Sequence, residues 1–162
     1  MSRRELEDMI IRRAEEKDVD ALVDFIVRLK QVNEELDPTY IVRDDVEEVA
    51  RRYIKESLGR DDVIILVAEH NGRPIAMVRA ELRERLFYEP RREALITDLY
   101  VHPSYRRRGI GEKLVRSLES ILVDKGIRLL AAEYPPGNTI ASRFFEKEGF
   151  KKLLVRVYRR LS

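Results

Sequence analysis

Residues 98–111, DLYVHPSYRRRGIG, decide how this chain folds and what it can bind. They read as the end of a strand, a tight basic turn and the start of an amphipathic helix. Backbone N–H groups of such a turn can converge on one point, where the helix N-terminus adds partial positive charge. Gly109 and Gly111 lack side chains, so a ligand can approach the backbone closely. The stretch therefore predicts an anion site suited to a pyrophosphate. Three consecutive arginines add charge beside it: Arg106, Arg107 and Arg108.

Two other phosphate-binding motifs do not fit this stretch. A nucleotide P-loop requires Lys and then Ser or Thr after its last glycine, but Gly111 is followed by Glu112. A dinucleotide fingerprint requires a third glycine at position 114, which is Leu114. An ordinary strand-to-helix turn with solvated arginines remains the alternative that the residues themselves leave open.

The spacing of apolar residues around this stretch predicts six strands and four helices. The strands are expected over residues 9–14, 63–68, 75–83, 95–101, 128–133 and 151–160. The helices are expected over residues 18–33, 45–58, 110–125 and 138–148. The order β-α-α-β-β-β-α-β-α-β predicts a mixed α/β fold, with one central sheet and helices on both faces. We expect one domain over residues 1–162.

Composition excludes several classes of function. Lys and Arg number 32 and Asp and Glu 30, so the balance of charge favours no nucleic-acid partner. Cysteine is absent, which removes disulfides, thiolate metal sites and a cysteine nucleophile, and with two histidines we expect no metal. The charged start of the chain (residues 1–5) and the lack of a long apolar run predict no export signal and no membrane partner. We expect a cytoplasmic protein, and charged residues at 38% resemble a thermophilic surface.

Two segments together resemble a known family. Arg106-x-x-Gly109-x-Gly111 resembles the acetyl-CoA-binding signature of the GCN5-related N-acetyltransferases (GNAT), Gln/Arg-x-x-Gly-x-Gly/Ala. Residues 138–150, NTIASRFFEKEGF, are similar to the second signature of that family, Asn-x-x-Ala-x-x-Leu/Phe-Tyr-Glu-Lys-x-Gly-Phe. The two matches cover roughly the second half of the chain, and the first half matches only in its order of elements.

The resemblance implies a mostly antiparallel sheet that splays between two adjacent parallel strands, 95–101 and 128–133. Acetyl-CoA, a cosubstrate, would place its pantetheine arm in that gap and its pyrophosphate on residues 106–112. A homodimer is common for this resemblance, and we expect one here. The residues that the resemblance assigns to the cofactor are Leu99, Tyr100, Val101, Arg106, Arg107, Arg108, Gly109, Ile110, Gly111, Glu112, Asn138, Ser142 and Phe145.

One position departs from the family pattern. Phe145 stands where the family usually carries a Tyr that protonates the departing thiolate, and Phe has no proton to donate. Tyr134 or Ser142 could substitute, although a packing role near the strand end is the favoured interpretation of Tyr134. Asp98 and Glu133 are the candidate bases for the amine, and Asp98 could instead be a satisfied strand carboxylate.

The resemblance implies direct transfer of an acetyl group to a primary amine of a small molecule or peptide, in a ternary complex. An acidic group lies between the first two helices; its members are Glu34, Glu35 and Asp37, with Tyr40 beside them. It would suit a cationic acceptor, or it could equally be a solvated helix end. His102 is expected to be an ordinary strand-end residue. Two other functions remain open: a non-catalytic CoA-binding regulatory module, which Phe145 favours, and a nucleic-acid binder that uses the three arginines.

Overall fold

A computed structural model describes residues 8–162 and contains five strands and four α-helices. The strands are β1 (Ile10–Arg13), β2 (Val63–His70), β3 (Arg73–Glu84), β4 (Arg92–Val101) and β5 (Leu130–Ala132). The helices are α1 (Val19–Leu36), α2 (Val46–Leu58), α3 (Ile110–Asp124) and α4 (Thr139–Lys147). Within the described residues, none of these helices is both long enough and apolar enough to cross a membrane.

The strands form one sheet in the order β1-β2-β3-β4-β5, which confirms the predicted single central sheet. Neighbouring strands are antiparallel except for β4 and β5, which run parallel. Helices α1 and α2 pack on one face of the sheet, and α3 and α4 pack on the other. The sheet therefore separates two apolar cores, and its parallel pair lies at one edge.

The β2 strand shows why the sheet lies in the middle. Its side chains alternate between the two cores: Ile64 and Leu66 contact one, and Ile65 and Val67 contact the other. This arrangement explains the continuous apolar run, since a strand covered on both faces needs no polar side. A turn at Asn71-Gly72 follows, with both residues at positive φ (52° and 75°), as a tight hairpin requires.

Four helices and five strands lie where the sequence predicts them, but the strand predicted over residues 151–160 is wrong for this chain. Residues 151–162 have no regular secondary structure, and all are exposed. Within the described residues no other strand pairs with them, which is the physical reason: alternation makes a strand possible, but only a hydrogen-bonded neighbour forms one. The charged residues 1–5 lie outside the described part of the chain.

Candidate functional site

The parallel strands β4 and β5 pair over only three residues before they separate. The pairs are Ala94 with Leu130, Leu95 with Ala131 and Ile96 with Ala132. One further hydrogen bond, from the Glu133 N–H to the Ile96 carbonyl at 3.4 Å, closes the paired region. Beyond it, the β5 side of the β4 backbone has no strand partner in the described chain. The predicted splay is therefore present.

A β-bulge in β4 lies at the point where the strands separate. Arg79 of β3 pairs with Asp98 and Ala80 pairs with Ile96, so Thr97 is an extra residue on β4. A bulge bends the strand that carries it and redirects its side chains. Thr97 and Asp98 accordingly both reach Tyr53 of α2, although a regular strand would send consecutive side chains to opposite faces.

The gap between the strands is a cleft that brings the predicted residues together. Helix α1 closes one side of it with three residues that the sequence analysis did not single out, Leu29, Lys30 and Asn33. Helix α4 contributes its first turns on the other side. The predicted residues that line the cleft are Asp98, Leu99, Glu133, Tyr134, Asn138 and Phe145.

Asp98 is buried in this cleft with both carboxylate oxygens occupied. Its exposed fraction is 3%. The Tyr53 hydroxyl donates to Oδ2 at 2.6 Å, and the Thr97 hydroxyl donates to the same oxygen at 2.8 Å. Lys30 Nζ lies 3.2 Å from Oδ1. These contacts match the satisfied strand carboxylate of the sequence analysis. Burial and the neighbouring negative charge of Asp98 both raise the pKa of Tyr53, so the phenol stays protonated as a donor.

A buried arginine, Arg79, lies beneath Asp98. The alternation of side chains along β3 places Arg79 on a polar face, but it does not predict that the side chain is buried. Its side chain is 1% exposed. Nε donates to the Ser57 hydroxyl at 2.9 Å, and Nη1 donates to Glu81 at 2.8 Å and to Thr97 at 2.9 Å. The guanidinium carbon lies 4.2 Å from the centre of the Tyr53 ring. Burial acts to raise the pKa of Glu81, but the arginine hydrogen bonds hold it below its usual value.

Glu133 differs from Asp98 in that its side chain is exposed and has no ion pair within residues 8–162. Its backbone N–H makes the last bond across the fork, so its carboxylate begins the open part of the cleft. Both candidate bases thus line one cleft, and only Glu133 has free oxygens there. A proton acceptor needs such oxygens within reach of the acceptor amine or of a bridging water.

Tyr134 and Phe145 stack face to face in the same cleft. Their ring centroids are 5.6 Å apart and their planes differ by 2°. Phe144 and Phe150 pack edge-on against Phe145 at 5.1 and 5.0 Å, and Phe145 itself is 5% exposed. Tyr134 is thus a packing residue as well, while its hydroxyl forms no hydrogen bond within the described residues. It is the phenol nearest to the position where the family pattern has Tyr.

The basic turn leads from β4 into α3 with two residues at positive φ, Arg107 at 64° and Gly109 at 74°. Arg106 fastens the turn to the end of β4 by donating from Nε to the Val101 carbonyl at 3.2 Å. The first bond of α3 runs from the Lys113 N–H to the Gly109 carbonyl at 3.1 Å. The N–H groups that open a helix have no intrahelical acceptor. In α3 these belong to Ile110, Gly111 and Glu112.

Gly109 and Gly111 lack a side chain at this turn for different structural reasons. A Cβ on Gly109 would meet nothing within 4 Å, so the side of the turn where it would project is open. A Cβ on Gly111 would lie 3.3 Å from the Phe144 ring, so this glycine lets α3 pack against α4. The open side at Gly109 lies where the sequence predicts that a pyrophosphate binds.

Some predicted residues lie outside the cleft. The Tyr100 ring stacks on Phe25 at 4.7 Å in the core beneath α1, so only its backbone could meet a cofactor. Ser142 lies on α4 but does not line the cleft, which leaves Tyr134 as the better placed hydroxyl. His102 accepts a hydrogen bond from the Ser104 N–H at 3.2 Å, in line with an ordinary strand-end role.

A second groove continues from the cleft past Lys30 and Asn33 towards the loop between α1 and α2. The acidic residues expected there do not line it. Glu34 accepts from the Val42 N–H, and Asp37 accepts from the backbone and hydroxyl of Thr39, so both shape the loop instead. The groove has a mainly apolar wall with two cations, and its lining is Lys30, Asn33, Thr39, Tyr40, Ile41, Val42, Arg43, Val46 and Val49.

Comparison with known proteins gives a consistent result. A sequence profile described as the Acetyltransferase (GNAT) family matches residues 29–150. An uncharacterized N-acetyltransferase of Archaeoglobus fulgidus is 27% identical over 144 residues, which cover 89% of this chain and 94% of that protein. An uncharacterized N-acetyltransferase of Methanocaldococcus jannaschii is 30% identical over 103 residues, 64% of this chain, and the match spans only 46% of that longer protein.

A solved structure shares the fold. It is an aminoglycoside N-acetyltransferase in complex with CoA, with a TM-score of 0.74 and 20% sequence identity, covering 94% of each chain. At this identity the likeness shows the fold.

The buried cluster under the cleft generates a stability prediction. We expect Arg79→Met to lower the free energy of unfolding by about 3 kcal/mol or more, because it leaves buried polar partners without their donor. Arg83→Met is the matched control, since Arg83 lies on the same strand, pairs with the same Glu81 and is 47% exposed; its cost should stay below about 1 kcal/mol. Urea denaturation measures both. Equal losses in the two variants would contradict a structural role for Arg79.

Proposed function

This chain belongs to the acetyltransferase (GNAT) family, and we propose that it transfers an acetyl group from acetyl-CoA to the primary amine of a small molecule or peptide. The observation that carries the proposal is the fork between β4 and β5, which opens at Ile96 and continues to the basic turn before α3. A strand edge with free backbone groups next to a helix N-terminus fits a ligand with an amide arm and an anionic end.

The residues present fit acetyl-CoA along its length. The open side of Gly109 and the first N–H groups of α3 would hold the pyrophosphate, with the neighbouring arginines as counter-charges. The β4 backbone at Leu99 and Val101 has no strand partner on the β5 side and would bind the amide groups of the arm, although the Val101 carbonyl already accepts from Arg106 Nε. Asn138 caps α4 by accepting from the Ala141 N–H at 3.1 Å, and it faces the same cleft. Acetyl-CoA would supply an acyl group activated as a thioester.

The cleft residues suggest how the transfer proceeds. Glu133 has free carboxylate oxygens and would accept the proton of the acceptor amine, directly or through a water. A backbone N–H of β4 would stabilise the oxyanion that forms as the amine attacks. The Tyr134 hydroxyl would protonate the departing thiolate in place of the family Tyr. Asp98 would position Lys30 and Tyr53 and would not itself take the proton.

The second groove is the proposed acceptor site. Its two cations are each paired with a carboxylate, Lys30 with Asp98 and Arg43 with Asp45. The groove therefore presents little unbalanced charge, and the apolar wall from Ile41 to Val49 is its main feature. We expect acceptors with an apolar group beside the amine to be preferred over polycationic ones.

A screen for free thiol tests the proposed activity. We expect CoA release from acetyl-CoA only when an acceptor is present, because the chain has no cysteine to form an acetyl-enzyme. The panel should contain polyamines, aminoglycosides, amino acids and peptides with apolar N-terminal residues. Release without any acceptor would contradict direct transfer. Tight CoA binding with no turnover on any amine would replace the proposal with a CoA-binding regulatory module.

Gly109 and Gly126 form a matched pair for testing the phosphate cradle. They flank α3 at φ values of 74° and 79°, and a Cβ at either would meet nothing within 4 Å. Alanine at each position should therefore cost a similar ~1–2 kcal/mol of backbone strain. We expect only Gly109→Ala to weaken CoA binding, by about tenfold or more, equivalent to ~1.4 kcal/mol. Isothermal titration reads the affinity, and equal affinities in the two variants would remove the cradle.

Two substitutions test the proton-transfer roles. We expect Glu133→Gln to lower kcat by ~10²–10⁴-fold, the usual contribution of a positioned base, with little change in the affinity for CoA. Tyr134→Phe keeps the stacked ring and removes only the hydroxyl, so a fall in kcat would identify the proton donor. Glu146→Gln, an exposed acid on α4 without an ion pair in the described chain, is the control. Full activity in Glu133→Gln together with inactive Asp98→Asn would move the base to Asp98.

A further inference from the structure

The cleft at the fork and the second groove share two side chains of α1. Within the described residues, Lys30 and Asn33 are the only ones that line both openings. They lie three positions apart, and residues at this spacing share one face of a helix. An acceptor that lies in the groove and reaches into the cleft therefore passes these two side chains.

Both side chains have unused hydrogen-bonding groups. The Lys30 ammonium has three N–H donors, and Asp98 Oδ1 occupies one of them at 3.2 Å. The side chain of Lys30 is 43% exposed, so its other donors are accessible to a ligand. The Asn33 side chain is partly buried and forms no hydrogen bond within residues 8–162. A ligand at this junction thus meets free donors on Lys30 and a free amide on Asn33.

The cleft carries opposite charges on its two sides. Glu133, on the β5 side, is exposed and has no ion pair within the described chain. Lys30, on the α1 side, holds its ammonium where the cleft meets the groove. An acceptor with an amine next to a carbonyl oxygen is complementary to this pattern, since its amine would face Glu133 and its oxygen would face Lys30. Amino acids and the first residues of peptides have this arrangement.

We propose that Lys30 and Asn33 select acceptors that have a carbonyl group on the carbon bearing the amine. The substrate class would then be amino acids, their amides and the N-termini of peptides. Lys30 would donate to the carbonyl oxygen, and the Asn33 amide, which can donate and accept, would bind the carboxylate or the peptide unit. The side chain of the acceptor would lie on the apolar wall from Ile41 to Val49. This inference rests on the proposed transfer to a primary amine.

The same arrangement disfavours polycationic amines. A polyamine has no oxygen that could accept from Lys30, and its second ammonium group would meet Lys30 or Arg43 in the groove. The acids of the neighbouring loop do not offset this, because Glu34 and Asp37 bind groups of the loop itself. Donors left without an acceptor lower the transition-state affinity for the wrong substrate. Aminoglycosides, which carry several ammonium groups, should be poor acceptors for the same reason.

Two matched substrates isolate the contribution of the carbonyl group. Leucinamide and isopentylamine have the same branched alkyl chain and a primary amine, but only leucinamide has the carbonyl. We expect the kcat/KM of the unaltered protein to favour leucinamide by about tenfold or more, the usual contribution of a hydrogen bond to a charged group. Because the two amines differ in basicity, the change of this ratio on substitution is the decisive measurement.

Substitutions on one helix give that measurement. Asn33→Leu removes a free amide without breaking a side-chain hydrogen bond, and Lys30→Met removes the ammonium but keeps an unbranched chain. We expect the ratio to fall about threefold or more in Asn33→Leu and about tenfold in Lys30→Met. Gln31→Leu should keep the ratio, because Gln31 is an exposed amide of α1 that lines neither opening. If Lys30→Met does not fold, because Asp98 loses its partner, Asn33→Leu decides alone.

An unchanged ratio in the substituted proteins, or an equal fall in Gln31→Leu, would overturn the proposal and leave the transfer itself intact. No release of CoA with any amine would remove the proposed activity and this inference with it. Isothermal titration of the CoA-bound protein reads the same contacts without turnover, and leucinamide should bind more tightly than isopentylamine. Leucine and a tripeptide that begins with leucine then distinguish the two sources of the carbonyl. Faster turnover of leucine assigns free amino acids, and faster turnover of the tripeptide assigns peptide N-termini; either result supports the proposal.

Discussion

The cleft depends on one extra residue in β4, Thr97, which has no pairing partner on β3. Pairing between β4 and β5 ends at Ile96, directly before the extra Thr97. Because a bulge bends its strand, β4 leaves the plane of its parallel neighbour at that residue. The free backbone edge, the position of Glu133 and the entry of the chain into the basic turn all follow from this separation.

The same bulge explains how two carboxylates in one cleft come to differ. Asp98 is turned towards α2, where hydroxyl donors and Lys30 occupy its oxygens. Glu133 lies where the pairing between β4 and β5 ends, and its side chain is exposed to solvent. Arg79 supports this arrangement from below, since it holds Thr97 against Glu81 and Ser57. A buried, hydrogen-bonded layer thus lies beneath an open one, and it holds the geometry of the proposed site in place.

Local sequence signals accounted for the elements and for the turn. Apolar spacing predicts the helices and strands, Asn71-Gly72 is a residue pair typical of a two-residue hairpin, and Asn138 is of a type common at helix caps. The burial of Arg79 was not predictable, because alternation assigns it to a polar face, and it is the packing of α2 over Arg79 that buries the side chain. The bulge at Thr97 carries no glycine to mark it. The segment 151–160 shows a further limit of sequence-based prediction. Alternation indicates that a strand can form, but it does not identify the strand that would pair with it.

The contact between Gly111 and the Phe144 ring also affects how the signature in this turn can be read in other chains. A Cβ on Gly111 would lie 3.3 Å from that ring, so the lack of a side chain allows α3 and α4 to pack closely, whether or not a ligand is bound nearby. A related chain that no longer binds the ligand would still need this glycine for the packing of α3 against α4. Gly109 has no such packing contact, since a Cβ there would meet nothing within 4 Å, but its φ of 74° favours glycine whether or not a ligand is bound. In divergent sequences, either glycine can therefore persist after ligand binding has been lost.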